Sequence, residues 1–139
     1  MSVSGELVRL FYELWGSAES GCEYLETALT LPESLEKLPR SNAGDVQRAL
    51  RNLNRIGHLI EYGGLPGDFA AGLVGKEAIR AITKAMPLIE EARARREEPD
   101  YLQYVDKLLQ ACRQAYPDYE PKYLHEEHAA FGFFKSDPP

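Results

Sequence analysis

Residues 43–62 read AGDVQRALRNLNRIGHLIEY, and this stretch decides the fold class. Its apolar positions repeat at intervals of three and four residues, the spacing that places side chains along one face of an α-helix. These positions are Val46, Ala49, Leu50, Leu53, Ile56 and Ile60. Gly63 and Gly64 follow, and glycine adopts the left-handed conformation that ends a helix at little cost. The stretch therefore predicts an amphipathic helix that buries one face.

The same spacing recurs on both sides of this stretch. It predicts helices over about residues 5–29, 76–97 and 101–115, with a short helix over residues 65–74. Four main helices with short connections are typical of an all-α antiparallel bundle.

Prolines, glycines and short polar side chains mark where these helices begin and end. We expect Ser41-Asn42 to cap the helix of residues 43–62, Asp100 to cap the last long helix, and Gly75 to end the short one. Pro87 lies inside a predicted helix, where a kink is expected because proline removes one backbone hydrogen bond. Gly16 and Gly21, inside the first helix, mark a bend or the close approach of another helix.

The last part of the chain is rich in aromatic residues, which suggests a division into a bundle over residues 1–116 and an aromatic segment over residues 117–139. A solvated tail would be poor in such residues, because exposed aromatics forfeit their burial energy. The segment is therefore expected to pack on the bundle of its own chain or on a partner. Its candidate partner-binding residues are Tyr119, Tyr123, Phe131, Phe133 and Phe134.

Charge and composition exclude several classes of function. The 139-residue chain carries a formal net charge of −6, which argues against general nucleic-acid binding and against docking on anionic membranes. The N-terminal residues do not resemble a signal peptide, and no apolar run approaches the roughly 20 residues that span a bilayer. Cys22 and Cys112 fall on apolar helix faces, so we expect two buried free thiols. Together these features predict a cytoplasmic protein.

The best candidate for a metal site is the sequence His125-Glu126-Glu127-His128. Histidines three residues apart lie on the same side of a helix, with two carboxylates beside them. The spacing departs from the HExxH zinc motif, so a polar helix turn is the favoured interpretation. We therefore expect no metal and no cofactor. No nucleophile motif or phosphate-binding glycine loop is present in the sequence.

Arg48, Arg51 and Arg55 form a second candidate site. Their spacing of three and four residues puts the three guanidinium groups on one helix face, where they could bind an acidic partner or a phosphate. The favoured alternative is an exposed face that pairs with carboxylates such as that of Asp45.

The middle half of the chain resembles a family of uncharacterised bacterial all-helical proteins, a domain of unknown function. The resemblance rests on residues 53–57 (LNRIG), the Gly64-Leu65 pair, the Pro87-x-Ile89 step and the arginines near residue 95. It implies an all-helical fold and no particular activity.

The leading functional hypothesis is a non-catalytic helical protein that binds a protein partner or forms a homodimer. Two alternatives stay open: a phage-type or plasmid-type inhibitor of a nucleic-acid enzyme, acting through its acidic surface, and a small metal-dependent enzyme that uses His125 and His128.

Overall fold

The chain forms four α-helices in residues 3–121, the part that a computed structural model describes. The helices are α1 (Gly5–Thr27), α2 (Arg40–Tyr62), α3 (Gly67–Arg96) and α4 (Gln103–Ala115), and a short 3-10 helix (Leu35–Lys37) lies between α1 and α2. No strand occurs among the described residues, and the helices pack against one another. The predicted all-α bundle of four main helices is confirmed.

Helices α1 and α2 pack side by side in opposite directions. Asn52, which is buried on α2, donates a hydrogen bond from Nδ2 to the carbonyl oxygen of Leu14 on α1, at 3.2 Å. Further along α1, a Cβ atom at Gly21 would lie 2.2 Å from the carbonyl oxygen of Asp45. Only glycine therefore allows this approach, so the close helix contact expected from the sequence is found at Gly21, whereas a Cβ atom at Gly16 would meet nothing within 4 Å.

Helix α3 is continuous, which differs from the prediction of two helices separated at Gly75. Gly75 lies inside α3, beneath the ring of Tyr116, where a Cβ atom would stand 2.6 Å from Cε2 of the tyrosine. The glycine thus makes room for a neighbouring side chain instead of ending a helix. Pro87 is exposed within α3, and the helix continues past it to Arg96.

Two helix starts also differ from the prediction. Helix α2 begins at Arg40, directly after Pro39, so Ser41 and Asn42 lie within its first turn. Helix α4 begins after Leu102, a residue in the left-handed region with φ of 54°. Asp100 contributes its backbone carbonyl, which accepts from the amide of Gln103, and not a side-chain cap.

The core collects the apolar faces of all four helices. Its largest fully buried side chains include Phe11, Leu25, Leu53, Ile56, Ile79, Ile82, Leu88, Ile89 and Leu108. Cys22 and Cys112 are buried and unpaired, as predicted. Burial raises the pKa of each thiol to about 12, so both are neutral at ordinary pH. Within residues 3–121, no helix is long and apolar enough to cross a membrane.

Candidate protein-binding groove

A groove lies at the surface where α1, α2 and α4 meet, and we call it the tyrosine groove. It encloses about 440 Å³. Its lining residues are Leu10, Leu14, Asn54, Arg55, His58, Leu59 and Tyr104. The leucines form an apolar floor, and Leu10 is 38 % exposed. The groove therefore offers apolar surface to a ligand or partner.

Three aromatic rings stand in mutual contact beside this floor. The ring of His58 lies edge-on to that of Tyr104, with centroids 4.9 Å apart, and 5.2 Å from that of Tyr62. The two tyrosine rings are 5.9 Å apart, also edge to face. Tyr62 is 68 % exposed. Partial desolvation and the neighbouring Tyr62 raise the pKa of the Tyr104 phenol above its ordinary value. The three rings therefore form one cluster, in which His58 and Tyr62 are exposed and Tyr104 is half-buried.

The backbone of Tyr104 is fixed by two contacts with α2. Its amide donates to Oδ1 of Asn54 at 2.9 Å. A Cβ atom at Gly57 would lie 1.7 Å from the carbonyl oxygen of Tyr104, so the backbones of α2 and α4 approach as closely as glycine permits. The groove is thus built on helix backbones that are held in place before any partner binds.

The three arginines predicted as one site are divided among three environments. Arg48 forms an ion pair with Asp45, with Nη1 to Oδ1 at 3.3 Å, as the alternative interpretation expected. Arg51 lines a different groove, and Arg55 lies at the tyrosine groove. Within residues 3–121 neither Arg51 nor Arg55 forms an ion pair. The free guanidinium of Arg55 therefore adds a positive charge to the rim of the tyrosine groove.

The groove that Arg51 lines contains two further arginines, Arg95 and Arg96, and the charges of these two are offset by carboxylates. Arg95 pairs with Glu36 at 3.1 Å, and Arg96 pairs with Glu98 at 3.7 Å. The guanidinium of Arg96 also lies 4.0 Å from the ring centroid of Tyr101. Because two of its three arginines, Arg95 and Arg96, already have carboxylate partners, this groove is the weaker candidate for an anion site.

Residues 117–121, the start of the aromatic segment, lie against α3. The hydroxyl of Tyr119 accepts a hydrogen bond from Nη1 of Arg80 at 3.0 Å, and Arg80 also binds Glu26 of α1 through Nε. The ammonium group of Lys76 lies 5.4 Å from the ring centroids of both Tyr116 and Tyr119. These contacts hold the first part of the segment on the bundle of its own chain.

The other candidate residues of the segment lie outside the described residues, namely Tyr123, His125, His128, Phe131, Phe133 and Phe134. In the described part of the chain, no cluster of three or more histidine, cysteine or acidic side chains could hold a metal ion.

Comparisons with known proteins leave the site to be interpreted on its own geometry. No family model, no curated protein and no solved structure matches the chain. The resemblance to an uncharacterised helical family therefore stays a prediction.

The tyrosine groove was not predicted as a site from the sequence. Neither Tyr62 nor Tyr104 was identified there as a candidate site residue. The available signal was the pair His58 and Tyr62, which are four residues apart and off the main apolar stripe. Tyr104 lies on another helix, 42 residues after Tyr62, and only the packing of the helices brings it into the cluster.

Proposed function

We propose that this chain is a non-catalytic interaction protein of the cytoplasm that binds a protein partner through the tyrosine groove. One observation carries the proposal: the exposed rings of His58 and Tyr62 and the half-buried ring of Tyr104 stand in mutual contact beside an apolar floor. The two buried thiols, which suit a reducing compartment, support the proposed location.

The residue types that line and flank the groove are typical of protein-binding surfaces. Tyrosine is enriched at the energetic centres of protein interfaces, because its large ring buries much area while only two side-chain torsions are ordered. Arginine is enriched there as well, since its guanidinium group binds carboxylates in a fixed geometry. Tyr62, Tyr104 and Arg55 supply these groups, and Leu10 supplies exposed aliphatic surface.

The charge distribution favours a protein over a nucleic acid as the partner. The chain has a formal net charge of −6, whereas binding to phosphate backbones needs a concentrated positive field. In the arginine-rich groove beside Tyr101, Glu36 and Glu98 offset the positive charges of Arg95 and Arg96.

The first experiment asks which molecules contact the groove in cells. A photo-crosslinking residue, p-benzoylphenylalanine, replaces Tyr62 in one variant and Glu33 in a control variant. Glu33 is suitable because its side chain is 87 % exposed and it follows the far end of α1. We expect a protein adduct, with another protein or a second copy of this chain, from position 62 and not from position 33.

The second experiment measures the affinity for the protein identified in this way. Tyr104→Ala is expected to weaken binding by about tenfold or more, since truncating a central interface tyrosine typically costs over 1.4 kcal/mol. Tyr12→Ala is the matched control, because Tyr12 is 52 % exposed and does not line the groove. Circular dichroism verifies that both variants are folded. Equal affinities of the Tyr104→Ala and wild-type proteins would refute the proposal.

A further inference from the structure

We infer that the tyrosine groove receives the aromatic C-terminal segment of this chain, residues 122–139. The inference rests on the proposed function, because it assumes that the groove binds polypeptide, and it names the polypeptide. Three observations support this pairing of groove and segment: both offer apolar surface, their charges are opposite, and the segment is long enough to span the distance.

The apolar chemistry of the two partners is complementary. The groove presents the leucine floor and the rings of His58, Tyr62 and Tyr104. The segment carries four aromatic residues in eighteen positions, namely Tyr123, Phe131, Phe133 and Phe134. Burying one such side chain stabilises by about 1.5–3 kcal/mol, and aromatic pairs in edge-to-face contact add about 0.5–1.5 kcal/mol. Two or three phenylalanines therefore offset the cost of ordering the residues around them.

The charges of the two partners are also complementary. Arg55 at the rim of the groove has no carboxylate partner within residues 3–121. The segment supplies Glu126 and Glu127 before its phenylalanines and Asp137 after them. A carboxylate within reach of Arg55 would orient the segment as the phenylalanines enter the groove.

The position of Tyr119 allows the segment to reach the groove. Tyr119 is held by Arg80, which also binds Glu26 near the end of α1, while Leu10 of the groove lies sixteen residues earlier on the same helix. Sixteen helical residues span about 24 Å. Phe131 lies ten residues beyond Pro121, and ten extended residues span at most about 33–36 Å. The phenylalanines can therefore reach the groove.

Attachment to the same molecule favours this occupant over an unrelated peptide. A segment tethered by a short connection is present at an effective concentration in the millimolar range. An intrinsic Kd in the same range then leaves the groove occupied about half of the time, so a partner that binds more tightly can still displace the segment. The same contact formed between two copies would give a dimer.

The test uses the full-length chain with p-benzoylphenylalanine in place of Phe133. After irradiation, mass spectrometry identifies the residues to which the probe has attached. We expect adducts at the tyrosine groove, near Leu10, His58 or Tyr104. A product with the mass of one chain shows docking within the chain, and a product of twice that mass shows docking between copies. Adducts confined to other surfaces, or none, would overturn the inference.

A second test reverses the charge of the exposed residue Arg55, a change that leaves the buried core untouched. Arg55→Glu is expected to lower the yield of groove adducts severalfold, because it repels the carboxylates of Glu126 and Glu127. Arg48→Glu is the matched control on the same helix, since Arg48 pairs with Asp45 and does not line the groove. Equal yields from both variants count against the inference.

The two proposals fail in different ways. If the probe at position 62 captures another protein while the probe at position 133 never reaches the groove, the inference is wrong and the proposed function stands. If neither probe gives an adduct at the groove, both are wrong.

Discussion

The guanidinium group of Arg93 on α3 donates a hydrogen bond from Nε to the carbonyl oxygen of Tyr101, at 2.8 Å. Its Nη2 atom donates to the carbonyl oxygen of Leu102 at 3.3 Å and to Oδ2 of Asp106 at 3.2 Å. Leu102 has a φ of 54°, which is costly for a leucine. One side chain thus holds the turn after which α4 carries Tyr104 to the groove.

The first prediction follows from this turn. Arg93→Met keeps the aliphatic part of the side chain but removes the donors to two carbonyl groups and to the carboxylates of Glu90 and Asp106. Because the Arg93 side chain is only 12 % exposed, we expect the free energy of unfolding to fall by about 2–3 kcal/mol. Urea denaturation, followed through the fluorescence of the buried Trp15, measures the change.

Arg48→Met is the control for this measurement. Its single ion pair with Asp45 is exposed, so its removal should change stability by less than about 0.5 kcal/mol. Similar effects of the two substitutions would show that Arg93 does not stabilise the turn.

The second prediction compares two glycines of α1. A Cβ atom at Gly21 would lie 2.2 Å from the backbone of Asp45, whereas a Cβ atom at Gly16 meets nothing within 4 Å. Gly16→Ala should therefore stabilise the protein by up to about 1 kcal/mol, the helix-propensity difference. Gly21→Ala should destabilise it by about 1–3 kcal/mol, because α1 and α2 must move apart. Effects of the same sign in thermal melting would contradict the packing of these helices.

Helix periodicity was sufficient to predict the bundle, whereas the roles of individual glycines required the structure. The spacing of Leu50, Leu53 and Ile56 depends on one helix alone, and all three are buried as predicted. Gly75 was misinterpreted as a helix end because the reason for a glycine there is the ring of Tyr116, forty-one residues away. A local pattern contains no information about such a distant neighbour.

The candidate site shows the same limit. Arg48, Arg51 and Arg55 share a helix face in sequence, but their environments are set by Asp45, by α3 and by α4 respectively. Likewise His58 and Tyr104 form a site only because Gly57 lets α2 and α4 approach. Sites assembled from several helices depend on packing that periodicity does not specify.

The third prediction concerns the attachment of the aromatic segment to α3. Tyr119→Phe removes the hydroxyl that accepts from Arg80 and leaves the ring beside Lys76. We expect a loss of about 1–2 kcal/mol in the free energy of unfolding, since a hydrogen bond to a charged donor is lost. Tyr12→Phe is the control, because Tyr12 is 52 % exposed and its hydroxyl has no hydrogen-bond partner among the described residues. An unchanged melting temperature in the Tyr119 variant would show that this contact is not stabilising.

The last prediction concerns the dependence of stability on alkaline pH. Burial raises the pKa of Cys22 to about 12, assisted by the nearby carboxylate of Glu26, and burial alone raises that of Cys112 to about 12. In the unfolded chain both thiols ionise near their ordinary pKa of about 8.5. A raised folded-state pKa gives a contribution that is fully present below the unfolded pKa and is lost as the pH rises towards the folded one. Stability should therefore fall between about pH 9 and pH 11, by at most about 1.4 kcal/mol per pH unit for each thiol.

Comparison with a variant that lacks both cysteines isolates the contribution of the two thiols. The double variant Cys22→Ala and Cys112→Ala should be less stable than wild type at pH 7, because each substitution leaves a small cavity. Its stability should nevertheless decline less steeply than that of wild type from pH 9 to pH 11, since the ionising thiols are gone. Urea denaturation at four or five pH values measures both slopes. Parallel declines in the two proteins would mean that neither thiol is held neutral by the fold, and rapid reaction of both with a thiol reagent under native conditions would then be expected.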